Sequence, residues 1–165
     1  MKIRQSTIDD LKRLMHIYGY ARTLMAANGN ANQWINGYPS EDLIRQEIAN
    51  GHSWVCLDEN GIIVGTFCLI EGEDPSYAYI EDGKWLNSLP YVTVHRLATS
   101  GEKRGVADAC FQWCFERYAN VRVDTHRDNI IMQNILKKYG FVYCGIIYVA
   151  NGTPRLAFQR YSKEL

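Results

Sequence analysis

"YVTVHRLATSGEKRGVADACFQWCFERYA", Tyr91 to Ala119, changes character twice. Tyr91 to Ala98 is extended and β-branched, and Thr99 to Arg104 is a polar turn. From Gly105 the chain reads as a helix in which Asp108, Gln112 and Glu116 recur at every fourth position among apolar neighbours, so only a narrow stripe meets water. Such a helix must cover a sheet. The next extended run, "VRVDTH" from Val121 to His126, makes the unit a crossover with two parallel strands. At the turn, the helix start offers backbone N–H groups without internal partners and about half a positive charge. Gly101, Gly105 and Ala107 leave room for close approach, and Lys103 and Arg104 add charge, so the junction suits a pyrophosphate. An ordinary turn into a helix shares these features.

Outward from this unit the pattern continues in both directions. "KIRQST" alternates like a strand, and Ser6 or Thr7 caps the helix "IDDLKRLMHIYGYARTLMAA", with Ile8, Leu11, Leu14, Met15, Tyr18 and Ala21 as its apolar stripe. A loop containing Trp34 and Tyr38 leads to a second helix, "EDLIRQEIAN", capped by Ser40 and stopped at Gly51. "HSWVCLDENGIIVGTFCLIEG" is a hairpin turning at Glu59-Asn60-Gly61. The irregular stretch "EDPSYAYIEDGKWLNSLP" carries Tyr77, Tyr79 and Trp85, and long loops in compact domains tend to be functional. Downstream, "NIIMQNILKKY" is a helix closed by Gly140, and "FVYCGIIYVA" and "RLAFQRY" form a last pair. The order is β, α, α, β, β, β, α, β, α, β, β.

The 165 residues fit one domain spanning 1–165, with no internal repeat or linker. Eighteen basic and eighteen acidic side chains leave no net field for nucleic acid or an anionic membrane, so any anion site is local. The first residues lack a signal peptide's apolar core, and no apolar run is long enough to span a bilayer, which predicts a soluble cytoplasmic protein. Five irregularly spaced cysteines argue for reduced core thiols. Cys110 and Cys114 share a helix face, but no histidine or second cysteine pair lies at ligand spacing, so no metal is expected.

"GEKRGVADA" followed by "DTHRDNIIMQNILKKYGF" resembles the two central motifs of the GNAT superfamily of acyl-CoA-dependent N-acyltransferases. Gly105-Val106-Ala107 matches the Gly-x-Ala half of the loop after the fourth strand, Asn129 the asparagine after the fifth, and Gly140-Phe141 the Gly-Phe pair eleven residues beyond it. The element order resembles that fold from Lys2 to Tyr161. The resemblance implies an α/β fold with a mixed sheet of about seven strands flanked by about four helices, its parallel fourth and fifth strands splayed. It implies acetyl-CoA as acyl donor, held by the backbone of Leu97, Ala98 and Thr99 and of Arg104, Gly105, Val106 and Ala107. Lys103, Asn129 and Lys137 or Lys138 would add contacts. Two positions depart from the pattern: Glu102 stands where the family has Gln or Arg, and Leu136 where it often has the tyrosine that protonates the leaving thiolate.

Attack of an amine on a thioester needs a neutral amine, a polarised carbonyl and a proton for the thiolate. His95 is the first candidate for base; the other reading is a hydrogen-bonded structural histidine. Alternation sends Arg96 to the opposite face, so only one of the two would line the cleft. Asp124 and His126 end the fifth strand, where α/β sites gather, and Asp124 either orients a histidine or substrate amine or caps the following turn. For the acid, Tyr139 lies about 60° around the helix from Leu136, with Tyr143 and Cys144 as further options. Leu136 itself is expected at the mouth of the thioester channel.

Trp34, Tyr38, Tyr77, Tyr79 and Trp85 lie on the segments that wall the family's acceptor site, with His126 beside them. They form either a pocket for a small, partly apolar amine or a cover for a sheet edge or homodimer interface. The activity implied is transfer of a short acyl group from acyl-CoA to a primary amine of a small molecule or peptide, with a non-catalytic acyl-CoA binding domain as the rival.

Overall fold

The computed structural model describes residues 1–164. In the order β, α, α, β, β, β, α, β, α, β, β, the chain forms seven strands, β1 (Lys2–Gln5), β2 (Ser53–Leu57), β3 (Ile63–Glu71), β4 (Val92–Thr99), β5 (Asn120–Thr125), β6 (Val142–Tyr148) and β7 (Pro154–Tyr161), and the helices α1 (Leu11–Ala27), α2 (Glu41–Ala49), α3 (Val106–Phe115) and α4 (Ile130–Lys138). They form one sheet in the order β1-β2-β3-β4-β5-β7-β6, in which only the β4/β5 pair is parallel. This is the expected mixed sheet with four helices.

Residue alternation sorts the two faces. Val55 and Leu57 side with Leu14, Ile17 and Tyr18 of α1 and Ile44 of α2. Cys56, between them, joins Cys110, Phe111 and Cys114 of α3 and Leu136 of α4 on the other face. The predicted α1 stripe holds except at Ile8, which is exposed in a 3-10 turn (Ile8–Asp10) ahead of the helix, while Ile17 is buried. All five cysteines are buried and free. The narrow polar stripe on α3 follows from this packing, and a side chain at Gly65 of β3 would run into Val106.

Thr7 occupies the cap position, and Asp10 reaches back to accept its N–H at 2.7 Å. Ser6 instead pairs its hydroxyl with that of Ser53. The Arg4 guanidinium bonds both Asp10 oxygens and, with the Thr7 N–H, holds that carboxyl below its ordinary value although burial opposes it. Asp10→Ala is expected to reduce the urea unfolding free energy by about 1 to 2 kcal/mol. Because the folded value is depressed, the contribution is full above the ordinary carboxylate range and disappears as pH falls through the folded value. The gap between parent and variant therefore narrows in acid.

Two irregularities in β4 create the site. β4 and β5 pair only through Val92↔Val121 and Thr93↔Arg122, after which the strands part. On the β3 side, Cys68 faces His95 and Thr66 faces Ala98, so Phe67 stands opposite two residues, Arg96 and Leu97. That is a bulge, with Arg96 in the left-handed region (φ 55°).

Candidate active site

The gap between β4 and β5 opens into a cavity of about 1000 Å³. Its walls run from the turn at Gly101 to Ala107, along β4 from Val94 to Thr99, to Val123, Asp124 and Thr125 of β5. β4 is paired with β3 out to Thr99 but with β5 only to Thr93, so beyond Val94 its other edge lacks a strand partner. An extended chain of ligand amides finds there the same unpaired backbone that another strand would use.

At one end lies the turn into α3. Gly105 caps the helix with φ 91°, and Gly101 has φ 81° against Tyr20, where any side chain would collide with the tyrosine ring. The departure at Glu102 is resolved by its neighbour across the fold. Arg13, anchored by two bonds to the Ile63 carbonyl, takes the Glu102 carboxylate at 2.7 Å and holds its ionisation below the ordinary value. Lys103 is similarly paired with Glu59 at 3.0 Å. Arg104 lines the cavity and has no carboxylate within ion-pair distance among the described residues.

At the other end four titratable groups meet. His95 Nε2 and Asp74 Oδ2 are 3.1 Å apart. Tyr77 donates its hydroxyl to Asp124 Oδ2 at 2.5 Å, and its ring lies 6.4 Å from that of His95, centre to centre. Burial, reinforced by Asp124, pushes the Tyr77 phenol well above its ordinary value, so it remains a donor. The His95 bond holds Asp74 below the ordinary carboxylate value against the effect of burial. His95, Asp74 and Asp124 all face the cavity. Asp124 does not cap the turn after β5, because His126 Nδ1 accepts the Asp128 N–H there and Asn129 Oδ1 caps α4.

The alternation argument for Arg96 fails at the bulge. His95, Arg96 and Leu97 all line the cavity, because the left-handed residue turns the strand instead of continuing its pleat. Arg96 Nε donates to the Tyr38 hydroxyl at 2.8 Å, and its Nη1 reaches Glu47 at 3.4 Å. This fixes Tyr38 in the wall, edge-on to Trp34.

Several expected site residues sit elsewhere. Leu136 is fully buried in the core behind the cavity and not at its mouth. Tyr139 packs its ring on Phe111, 5.4 Å between centres, beneath Lys138, and does not face the cavity. Helical geometry turns this face of α4 toward α3, leaving Met132 and Ile135 to face the cavity. Lys137 and Lys138 also lie outside the wall, and Lys138 meets Asp108 at 3.6 Å. Tyr79 is exposed, Trp85 donates to the Tyr77 carbonyl and stacks on Arg122, and His126 is taken up by its turn. Asn129 lines the cavity, yet its Nδ2 donates to Gln33 Oε1 at 3.1 Å while its Oδ1 caps α4. Tyr139→Phe is therefore expected to leave acetyl transfer within about 2-fold of the parent, as measured by CoA release. A larger loss would return Tyr139 to the chemistry.

Asp74 escapes sequence reasoning because its role depends on a contact with His95, 21 residues along the chain. One signal is present: Asp-Pro-Ser marks a capped turn, and Asp74 does accept the Ser76 N–H ahead of a 3-10 turn (Pro75–Tyr77).

Scans against protein-family models and against curated proteins find no match. Solved structures do match. A GNAT-family acetyltransferase from Streptococcus agalactiae 2603 is 33% identical, with a TM-score of 0.89 over 99% of this chain and 96% of the other. One from Listeria monocytogenes 4b F2365 is 18% identical, with a TM-score of 0.70 over 98% and 94%. The NatB acetyltransferase complex bound to CoA and MES is 8% identical, with a TM-score of 0.64 over 98% and 99%. The last two share the fold. Full-length identity to the first, together with the splayed strands and the glycine turn, defines an acetyltransferase class: this chain belongs to the GNAT family.

Proposed function

We propose that the protein transfers an acetyl group from acetyl-CoA to a primary amine of a small molecule. The observation that carries this reading is the single cavity joining the α3 turn to the His95-Asp74 and Tyr77-Asp124 pairs along the unpaired edge of β4. The NatB relative is solved with CoA bound, and its fold is shared here.

In this reading the N–H groups at the start of α3, with Arg104, take the pyrophosphate, where helix polarity favours an anion. Leu97, Ala98 and Thr99 bond the pantetheine amides through their backbone. Lys103, Asn129, Lys137 and Lys138 serve at most the outer parts of the cofactor, given their positions and partners. The arm brings the thioester to His95. Asp74 orients the imidazole, which takes the proton of the acceptor's ammonium, directly or through water. The neutral nitrogen then attacks the carbonyl carbon, the N–C bond forms, the C–S bond breaks, and the thiolate takes up a proton to leave as CoA. With Tyr139 outside the cavity, that proton comes from solvent or from the protonated His95.

Trp34 and Tyr38 are the acceptor wall among the aromatic candidates. The test is CoA release from acetyl-CoA with a panel of amino acids, polyamines, aminoglycosides and peptides. Turnover with a small-molecule class and not with the peptides confirms the reading. Acetyl-CoA binding without release for any amine overturns it in favour of a binding domain.

A further inference from the structure

Arg155 is the unusual group in the cavity wall. It is only 7% exposed, yet no carboxylate of the described residues lies within ion-pair distance of it. Its Nη1 donates to the Pro154 carbonyl at 2.8 Å and the Thr153 hydroxyl at 3.1 Å, and its Nη2 to the Gln33 carbonyl at 3.2 Å. Among the described residues Nε and the second Nη2 hydrogen have no partner. These bonds hold the guanidinium rigidly while neutralising none of its charge. Burial pulls it below its ordinary value, with Asp124 acting in the opposite sense. A buried cation kept without a counter-ion and facing a cavity is costly unless something in that cavity completes it.

The sheet register fixes where that partner lies. Asp124 of β5 stands opposite Ala157 of β7, and Arg155 is two residues from Ala157 on the same face. Asp124 and Arg155 are thus diagonal cross-strand neighbours, a relation that sets such residues about 7 to 8 Å apart and their Cβ atoms somewhat closer. That leaves room for a small zwitterion between them. Arg96, a partly buried cation of the same wall, already has Glu47 and Tyr38. The Gln33 bond also sets Arg155 beneath the α1–α2 loop, whose Trp34 and Ile35 line the same cavity with Leu24 and Val149.

We propose that the acceptor is a free amino acid with an apolar side chain, its α-carboxylate on Arg155 and its amino group at Asp124. This rests on the acetyltransferase reading above and names its substrate class. Tyr77 holds Asp124 so that its second oxygen receives the ammonium, and His95, next to Tyr77, takes the proton. Polyamines, peptide tails and aminoglycosides lack a carboxylate at that spacing and leave Arg155 unpaired.

Binding is measured first, without turnover, by calorimetry of the twenty L-amino acids into CoA-saturated protein. L-Leucine is then compared with L-leucinamide and isoamylamine, which share its side chain but lack the carboxylate. Leucine is expected to bind about 100-fold more tightly than either. Arg155→Met should remove that advantage, leave the amide and the amine within about 3-fold of the parent, and preserve the acetyl-CoA thermal shift. Arg155→Lys should retain part of it. Absence of binding by any amino acid, equal binding of the three leucine compounds, or an unchanged preference in Arg155→Met overturns the proposal. Should Arg155→Met fail to fold, the three compounds on the parent protein still decide. Failure of CoA release with every amine sinks the acetyltransferase reading alone, since calorimetry reports on Arg155 without it.

Discussion

His95→Ala is expected to lower kcat for acetyl transfer by about 100-fold or more while acetyl-CoA affinity stays within about 2-fold. The reason is positional. His95 is half-buried on β4 where β5 has moved away, its Nε2 is fixed by Asp74, and no second imidazole among the described residues faces the cavity. The limb of the pH–rate profile that reports the base should vanish in the variant. Asp74→Asn keeps the size of the partner but not its charge, and is expected to cost about 10-fold in kcat with little change in KM. A purely structural histidine would give a different pattern, lowering Tm in His95→Ala and leaving the shape of the pH profile unchanged. An Asp74→Asn enzyme with parental kcat would likewise remove Asp74 from the mechanism.

Gly105→Glu should abolish the rise in Tm that acetyl-CoA gives the parent, a shift that amounts to about 2.7 kcal/mol of stabilisation when ligand is at a hundred times its Kd. Two effects combine. Gly105 has φ 91°, which a side chain adopts only under strain, and a carboxylate would stand at the open helix end where the pyrophosphate is expected. Gly105→Ala separates them, since it introduces the strain without the charge. It should lower Tm while retaining a measurable acetyl-CoA shift. If Gly105→Glu keeps the full shift, the phosphate lies elsewhere. The Arg13-Glu102 pair adds a related contrast: freeing Glu102 by Arg13→Ala should weaken acetyl-CoA binding more at low salt than at high salt.

The order of strands and helices is legible in the chain because each element is locally consistent. The apolar periodicity of α1 and α3, the cap at Ser40, the glycine stop after α4 and the turn at Asn60-Gly61 all act over a few residues. Short range is what a sequence displays directly. The glycine turn, Asn129 and Gly140-Phe141 lie close along the chain for the same reason, so the family and the mixed sheet are readable from the residues alone. His95 and Asp124 are also legible, as titratable residues on the two strands flanking the crossover.

Tertiary structure decided which of the candidates meet. Tyr139 stands close to the vacant acid position on a helical wheel, but α4 packs that face on Phe111, and rotation about an axis says nothing about which side a neighbouring helix occupies. Alternation places Arg96 on the wrong face because it assumes a regular pleat, and the bulge opposite Phe67 is a property of the β3/β4 pairing, not of β4 alone. Asp74 and Arg155 reach the cavity from a loop and from β7, and Tyr77 reaches Asp124 from that same loop, all distant in sequence from the groups they serve. The residues of this chain by themselves determined its elements, their order and its family; the site's composition was set by long-range packing, where a local shift in register or helix rotation changes which side chains share one cavity.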